Sequence, residues 1–518
     1  GAVGSNAYTE RIPSFIEFLE QTELGDSSIN GFSPRGLVGE YLAYCFDTLA
    51  SNIYDATKLI AIKSDVKSIS KSDGKYCLKH DRFGCQEAVI GIDQVMLTTG
   101  HDSWKGMCEE KESLKDPEGC DIPFIYPITE NLRKIPSPAI VAIMGLGLTF
   151  IDAVLGLTEG RGGTFRRTNT GKMLYEPSGL EPKKIVPFSK SGLPMVPRKG
   201  TEGSKAYKPR YLTIEGIRDA ERIGKRIELQ KHILPLLKKE VKYRYYQSLW
   251  RQLGYKVPDD YRNEDLESTI ENFHRSHSTI PRFAFKNLFR RVTMERPDLE
   301  IAPLAYYRYI LTEAEKGSES SPFMAAALTW GKVSNTFNGL YSFGGLRAKA
   351  HREFDTMFRS KLNRISYGPP LQNAQKVLAL MEHGIVDMNF AVAPQVRKLF
   401  QGWSVIGADQ KELIADILID GRIPNNGSLS NWSGLFRGMR ESGLIREYIN
   451  RGKKSYATAC PEIDRCGRAV GLDGHVDEGL TLYGTPTEGM TYDNDTLSRE
   501  RNNFASAWAL RCVEESNN

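Results

Sequence analysis

Between Ala139 and Leu157 the chain reads AIVAIMGLGLTFIDAVLGL, apolar almost without interruption. That run approaches the ~20 residues needed to cross a bilayer. Pro136 and Pro138 open it, however, Gly145 and Gly147 break its middle, and Asp152 stands inside it. A buried parallel strand, a glycine turn and a buried helix have the same hydropathy. The pattern therefore predicts a strand over Ile140–Met144, a turn over Gly145–Gly147 and a helix over Leu148–Leu157, ending near Gly160, with no membrane span. Upstream, GKYCLKHDRFGC (Gly74–Cys85) predicts a hairpin whose strands flank a charged turn, and EAVIGIDQVMLTTGH (Glu87–His101) a short strand ending in Thr-Thr-Gly-His.

Downstream the pattern changes. From Ala206 to about Lys454 there is little period-two alternation, and the region predicts mostly helix. Ile214–Leu253 is dense in helix formers and broken by Pro235; Pro369–Asn373 predicts a turn and Gln375–His383 a short helix. LTLYGTPTEG (Leu480–Gly489) reads as a strand and a glycine loop, followed by a final helix through Val513 that Thr496 or Ser498 can cap.

Composition narrows the function classes. At ~100–200 residues per domain, 518 residues make two to four domains. A hydrophobic fraction of 40% and a charged fraction of 26% describe an ordinary globular protein. The net charge of +5 permits anionic small molecules without announcing a polyanion partner. Eight scattered cysteines without C-x-x-C read as reduced thiols, which places the chain in the cytoplasm. Cys460, Cys466 and His475 lack metal-finger spacing, so no metal is expected. Neither Ser178-Gly179 nor Ser191-Gly192 lies in a G-x-S-x-G elbow, which weakens a hydrolase reading. Glu221–Arg251 interleaves Lys and Arg with Tyr243, Tyr245, Tyr246 and Trp250. Such a run can bind single-stranded nucleic acid, but a helix with a solvated basic face and an aromatic core face is the expected form.

The candidate chemistry lies at the glycine turn. Gly145 allows a tight turn, and Gly147 lets the backbone close on a pyrophosphate at the positive end of a helix, with Thr149 in its first turn. The dinucleotide fingerprint wants a third small residue where Phe150 stands, which implies wider packing or an aromatic covering the pocket. NAD-binding versions carry an acidic residue ~20 positions beyond the glycines. Here that count reaches Arg166 and Arg167, with Arg161 just before and no carboxylate. Guanidinium groups suit a 2′-phosphate, so NADP(H) is preferred, the alternative being that these arginines are solvated turn residues.

GFSPRGLVGEYL (Gly31–Leu42), VMLTTGH (Val95–His101), IMGLGLTFIDAVLGLTEGRGGTF (Ile143–Phe165), YEPSGLEP (Tyr175–Pro182), SKSGLP (Ser189–Pro194), ISYGPP (Ile365–Pro370) and LYGTPTEG (Leu482–Gly489) follow in this order. Together they resemble a bacterial-type FAD/NAD(P)-binding protein family related to the flavin-dependent N-hydroxylating monooxygenases and FAD-dependent urate hydroxylases. The resemblance implies an α/β fold, a Rossmann-like flavoprotein frame with two dinucleotide-binding domains and a large inserted, mainly helical domain. Residues 1–125 would be the remainder of the FAD domain, 136–204 the NAD(P)-binding domain, 205–455 a helical substrate or lid domain, and 470–518 the return to the FAD domain. In such proteins Thr99 and Gly100 pass beside FAD, His101 is a candidate proton carrier, and Gly484, Thr485, Pro486 and Thr487 form the loop whose amides face the flavin. The family's first strand and G-x-G-x-x-G finger find no match ahead of Gly1-Ala2-Val3-Gly4; the expectation is that upstream sequence or a second chain supplies them, the alternative being that the protein no longer binds FAD in the usual way.

The implied activity is an FAD- and NADPH-dependent oxidoreductase, a monooxygenase that uses O2 through a flavin hydroperoxide to hydroxylate a small molecule. An oxidase or dehydrogenase without oxygen transfer, or a nucleotide-binding scaffold without turnover, are the alternatives.

Overall fold

The protein was analysed as a computed structural model, which describes residues 12–22, 32–53, 58–82, 84–100, 120–200, 207–221, 227–255, 263–423, 432, 434–494 and 501–516. The chain divides into two compact units, one of residues 1–106, 337–351 and 424–518, the other of residues 107–336 and 352–423.

In the first unit, β1 (Asp65–Ser72), β2 (Lys75–Arg82) and β3 (Cys85–Ile92) form an antiparallel meander. The expected charged turn of the 74–85 hairpin is itself strand β2. Its exposed Lys75, Lys79 and Arg82 share the strand with buried Tyr76 and His80, and the turns fall at both ends. Charge marked the solvent face of a strand here, not a reversal. Next, β4 (Val95–Leu97) runs parallel to β16 (Val476–Leu482), which pairs antiparallel with β15 (Arg468–Val470). A separate pair, β13 (Glu447–Asn450) and β14 (Tyr456–Pro461), is antiparallel. Val95, Leu97, Leu480 and Leu482 share a core with Trp432, Phe436 and Phe504. The last helix spans Phe504–Ser516, where the Asn503 side chain accepts from the Ser506 amide. Thr496 and Ser498, the expected caps, lie outside the described residues.

In the second unit, β5 (Ile140–Met144), β8 (Lys184–Phe188) and β12 (Ile417–Asp420) form a parallel sheet in the order β12-β5-β8. The apolar stretch is therefore strand, turn and helix with the expected bounds, the helix being Leu148–Leu157. Asp152 within it accepts the Tyr126 hydroxyl. Among the described residues no helix is long and apolar enough to cross a membrane. Between that helix and β8 lies a separate antiparallel pair, β6 (Thr164–Arg167) and β7 (Met173–Glu176).

The mainly helical region ends sooner than expected. Helices run through Pro303–Ser320 and Leu371–His383, but β9 (Gln395–Lys398), β10 (Trp403–Ile406) and β11 (Glu412–Ala415) then form an antiparallel sheet, and β12 joins β5. Strands of four residues are too short for alternation to declare them. At Pro235 the helical run changes type: a π-helical turn, Leu229–Ile233, leads directly into the α-helix Leu234–Gln252, whose first turn holds the proline. The helix of 371–383 takes in the second half of the expected turn. Tyr243, Tyr245, Tyr246 and Trp250 are buried, so the basic and aromatic run is a helix with an aromatic core face and has no rings free to stack on bases.

Candidate functional site

The carboxyl ends of parallel strands are where α/β sheets bind ligands, and the glycine turn stands at that end of β5. The Gly145 amide donates to the Phe188 carbonyl at 2.8 Å, and the Gly421 amide to the Met144 carbonyl at 2.9 Å. Gly145 has φ of +121°, and a Cβ there would stand 2.9 Å from the Gly421 carbonyl oxygen. Its glycine is therefore fixed by the close approach of the backbone that follows β12. Gly147 differs. It is the N-cap of helix Leu148–Leu157 with φ of −85°, no side chain caps that helix, and an added Cβ would meet nothing within 4 Å. Neither conformation nor packing demands glycine there. A helix N-terminus that no side chain caps, at a glycine whose Cβ position is open, is a fit for the pyrophosphate of a dinucleotide. Thr149 is buried in the first turn. Phe150, 1% exposed, packs in the core with Ile122, Leu132 and Val154, so wider packing, and not an aromatic cover, accounts for it.

The three arginines do not gather at this turn's neighbouring strand. Arg161 donates to the carbonyls of Leu180, Leu132 and Ile135 at 3.0, 2.8 and 2.8 Å. Arg166 pairs with Glu176. Arg167 donates to Gln375 Oε1 at 2.6 Å and to the Gly171 carbonyl at 3.1 Å. The reason is topological. Counting ~20 residues assumes that the next strand is the parallel neighbour, but β6 belongs to a hairpin, and β8 is the strand beside β5.

That hairpin is built around a carboxylate. Glu181, 8% exposed, accepts from the Tyr175 hydroxyl, the Ser178 hydroxyl and the amides of Ser178 and Gly179. Burial disfavours its charge, but the hydrogen bonds from Tyr175 and Ser178 outweigh burial and hold its pKa at about 2. A Cβ on Gly163 would overlap the Tyr175 hydroxyl, which is why the RGGTF segment carries glycine at that position.

At the carboxyl end of β8, Ser189 Oγ accepts the Gly192 amide at 3.0 Å and Ser191 Oγ the Leu193 amide at 3.3 Å. Gly192 has φ of +62°, and a Cβ there would stand 2.5 Å from a Val392 methyl. Lys190 between them is exposed. At the end of β12, buried Asp420 takes two hydrogen bonds from the Arg422 guanidinium, at 2.9 and 2.8 Å. Sequence reasoning quoted Ser189–Pro194 only as a family segment and gave neither group a role. The signal for the first was an apolar run, KIVPF, passing directly into S-K-S-G.

In the first unit the other candidates meet at the carboxyl end of the parallel pair β4 and β16. The Tyr483 amide donates to the Leu97 carbonyl at 2.9 Å, so Thr99 and Gly100 on one side and the loop Gly484–Thr487 on the other both follow the same end of this strand pair. Gly484 has φ of +80°, and Thr485–Thr487 is a short 3-10 turn. Thr487 Oγ1 donates to the Gly484 carbonyl at 2.8 Å and accepts from Asn494 Nδ2 at 2.7 Å. Thr487 and Pro486 are buried. His101 lies outside the described residues. Among those residues no cluster of three or more His, Cys, Asp or Glu could hold a metal ion.

Comparison with known proteins agrees with the class read from the motifs. An FAD-NAD(P)-binding family model matches residues 4–102, in keeping with an α/β, Rossmann-like frame. It is similar to nitrosuccinic acid synthase from Aspergillus oryzae, 27% identical over 503 residues, covering 92% of this chain and 76% of that protein. It is also similar to an L-aspartate N-monooxygenase (nitrosuccinate-forming) from Streptomyces davaonensis, 26% identical over 451 residues, covering 80% of this chain and 67% of that protein. Among solved structures, an ornithine N-hydroxylase from Kutzneria sp. 744 covers 98% of this chain and 84% of its own at 11% identity and a TM-score of 0.41.

Proposed function

We propose that this protein is an FAD-dependent, NADPH-consuming monooxygenase that hydroxylates the amino nitrogen of a small amino acid, with L-aspartate the first substrate to test. The observation that carries the reading is the similarity over 92% of the chain to an enzyme named for its nitrosuccinate product. The fold supports it with two glycine loops, one in each unit, each at the carboxyl end of parallel strands. A single loop of this kind serves many functions; two suit a protein that holds two dinucleotides.

Gly147 and the amides of the first turn of Leu148–Leu157 would hold the NADPH pyrophosphate, and the backbone of Thr99, Gly100, Gly484 and Thr485 would line the FAD. Bound flavin supplies the electron transfer to O2 that no side chain provides. The chain's part is to bind, to orient and to exclude water. Among the described residues β4 has a strand partner on one edge only, and Leu42, Phe46 and Leu49 of helix Arg35–Ser51 expose one apolar face. Both fit a further parallel strand with a G-x-G-x-x-G turn, carried by upstream sequence or a second chain. Scattered cysteines without a C-x-x-C pair fit a reducing, cytoplasmic setting.

The test uses the protein expressed from its intact gene, with whatever precedes Gly1 retained. FAD retention, NADPH oxidation and product mass are followed with L-aspartate, L-ornithine and other amino acids. The expected result is NADPH oxidation coupled to an N-oxidised amino acid. Oxidation that yields only hydrogen peroxide with every amino acid would favour the oxidase reading, and a folded protein that retains neither nucleotide would favour a scaffold.

A further inference from the structure

We propose that Lys190, seated between Ser189 and Ser191 at the end of β8, reads the 2′-phosphate of NADPH in place of Arg166 and Arg167. This rests on the dinucleotide reading of the Gly145–Gly147 turn and adds the group that chooses between the two nicotinamide cofactors.

The argument is topological first. In a dinucleotide-binding sheet, the group that meets the adenosine ribose stands at the carboxyl end of the parallel strand next to the one that enters the glycine turn. β5 enters that turn, and β8 is its parallel neighbour on the side reached through helix Leu148–Leu157 and the β6–β7 hairpin. Met144 is in register with Phe188, and the Gly145 amide bonds to the Phe188 carbonyl. Ser189, Lys190 and Ser191 therefore leave their strand level with the turn, one strand spacing away, about 4.8 Å.

Charge supports the same assignment. Arg161, Arg166 and Arg167 have their guanidinium groups committed to three carbonyls, to Glu176, and to Gln375 with the Gly171 carbonyl. Lys190 is exposed and makes no ion pair or hydrogen bond among the described residues. A lysine ammonium binds phosphate as a point charge with three donors. The flanking serines complete the group. Each hydroxyl already accepts one backbone amide, at 3.0 Å for Ser189 and 3.3 Å for Ser191, which leaves its own proton to donate. The turn is fixed in place, since the Ser189 amide bonds to Ala391, the Ala393 amide bonds to Ser189, and Gly192 packs against Val392 at a distance no other residue could adopt. No carboxylate lies within Phe188–Pro194 to favour an unphosphorylated ribose.

The test is calorimetric and needs no turnover. Wild type, Lys190→Ala, Lys190→Arg and the double variant Arg166→Ala/Arg167→Ala are titrated with 2′,5′-ADP, which carries the 2′-phosphate, and with 5′-AMP, which lacks it. Lys190→Ala should lose about tenfold or more of its affinity for 2′,5′-ADP and little for 5′-AMP, as expected for one charge-assisted contact. Lys190→Arg should keep most of the preference, and the double arginine variant all of it. Raising salt should erode the wild-type preference more than that of Lys190→Ala. A preference that survives Lys190→Ala, or that falls in the arginine variant, overturns the assignment and leaves the dinucleotide site standing. Wild type that binds both probes equally also overturns it. Wild type that binds neither probe removes the dinucleotide reading and this assignment with it.

Discussion

The glycine loops of the two units end similar parallel strands and are built on opposite plans. The loop at Gly484–Thr487 is closed by its own side chains: Thr487 donates to the Gly484 carbonyl, accepts from Asn494 and lies within hydrogen-bonding distance of the Thr491 hydroxyl. Its shape is complete without a ligand. At Gly145–Gly147 the protein accounts for only one of the two glycines. Gly145 is held by the Gly421 backbone, whereas Gly147 faces open space at an uncapped helix N-terminus. Satisfied side chains make a surface that a ligand can lie against, and unsatisfied amides make one that an anion must complete. Substitutions at the two loops should therefore fail in different ways.

The largest effect is expected at Gly145. Alanine there would force a left-handed φ and press a methyl group against the Gly421 carbonyl, backbone that cannot yield without moving β12. Strain plus overlap should destabilise Gly145→Ala by about 2–4 kcal/mol, read as a lower thermal midpoint. An unchanged melt would mean that Gly145 is not pinned by the protein at all.

Glu181→Gln should come next, at about 1–3 kcal/mol, because a buried acceptor of hydrogen bonds from Tyr175, Ser178 and Gly179 is replaced by a weaker one. The pH dependence follows from the lowered carboxyl pKa. A group depressed from 4.5 to about 2 contributes its full stability above 4.5 and loses it as pH falls toward 2. The difference in melting temperature between wild type and Glu181→Gln should therefore shrink across that window. A gap that stays constant would deny the carboxylate its role in the hairpin.

Thr487→Val keeps the volume of the side chain and removes a donor to Gly484 and an acceptor for Asn494. The expected cost is about 1–2 kcal/mol, with FAD retention falling only as far as the melt does. A loss of FAD from a protein that melts normally would show that this side chain, and not the backbone around it, serves the flavin.

Much of the fold was legible in the sequence, and the exceptions share a cause. Ile140–Met144 and Leu148–Leu157 were readable because a buried parallel strand and a buried helix carry strong local signals. β9 to β12 were not, because four-residue strands leave too few positions for a period and β12 finds its partner 276 residues away, where Asp416 meets the Ile140 amide. The site followed the same division. Gly145, Gly147, Thr99, Gly100, Gly484 and Thr487 stand at strand ends, where the motifs put them. The count from the glycines lands on Arg166 and Arg167 in β6 because it assumes that the next strand is the parallel neighbour, whereas the β6–β7 hairpin comes between the helix and β8. Spacing rules carry a topology within them, and an inserted hairpin changes where the count lands.

Gly147→Ala should cost the least stability, and so discriminates best. With φ of −85° and ψ of −164°, the position suits any residue, and a methyl group would meet no atom within 4 Å. Losing glycine at an N-cap costs a few tenths to about 1 kcal/mol. The smaller entropy of an alanine-containing unfolded chain returns about 0.4–1 kcal/mol. These two terms nearly cancel, so the melt should stay close to wild type. Dinucleotide binding should not, because the methyl group would occupy the space through which phosphate reaches the first-turn amides of helix Leu148–Leu157. Titration with NADPH should show an affinity lowered by about tenfold or more, equivalent to one lost charge-assisted contact. The effect should be the same for NADH, since both carry the pyrophosphate, and this separates Gly147 from a residue that reads the 2′-phosphate. A folded Gly147→Ala protein that binds both nucleotides as wild type does would leave its glycine without a physical reason and VAIMGLGLTF as a strand, a turn and a helix.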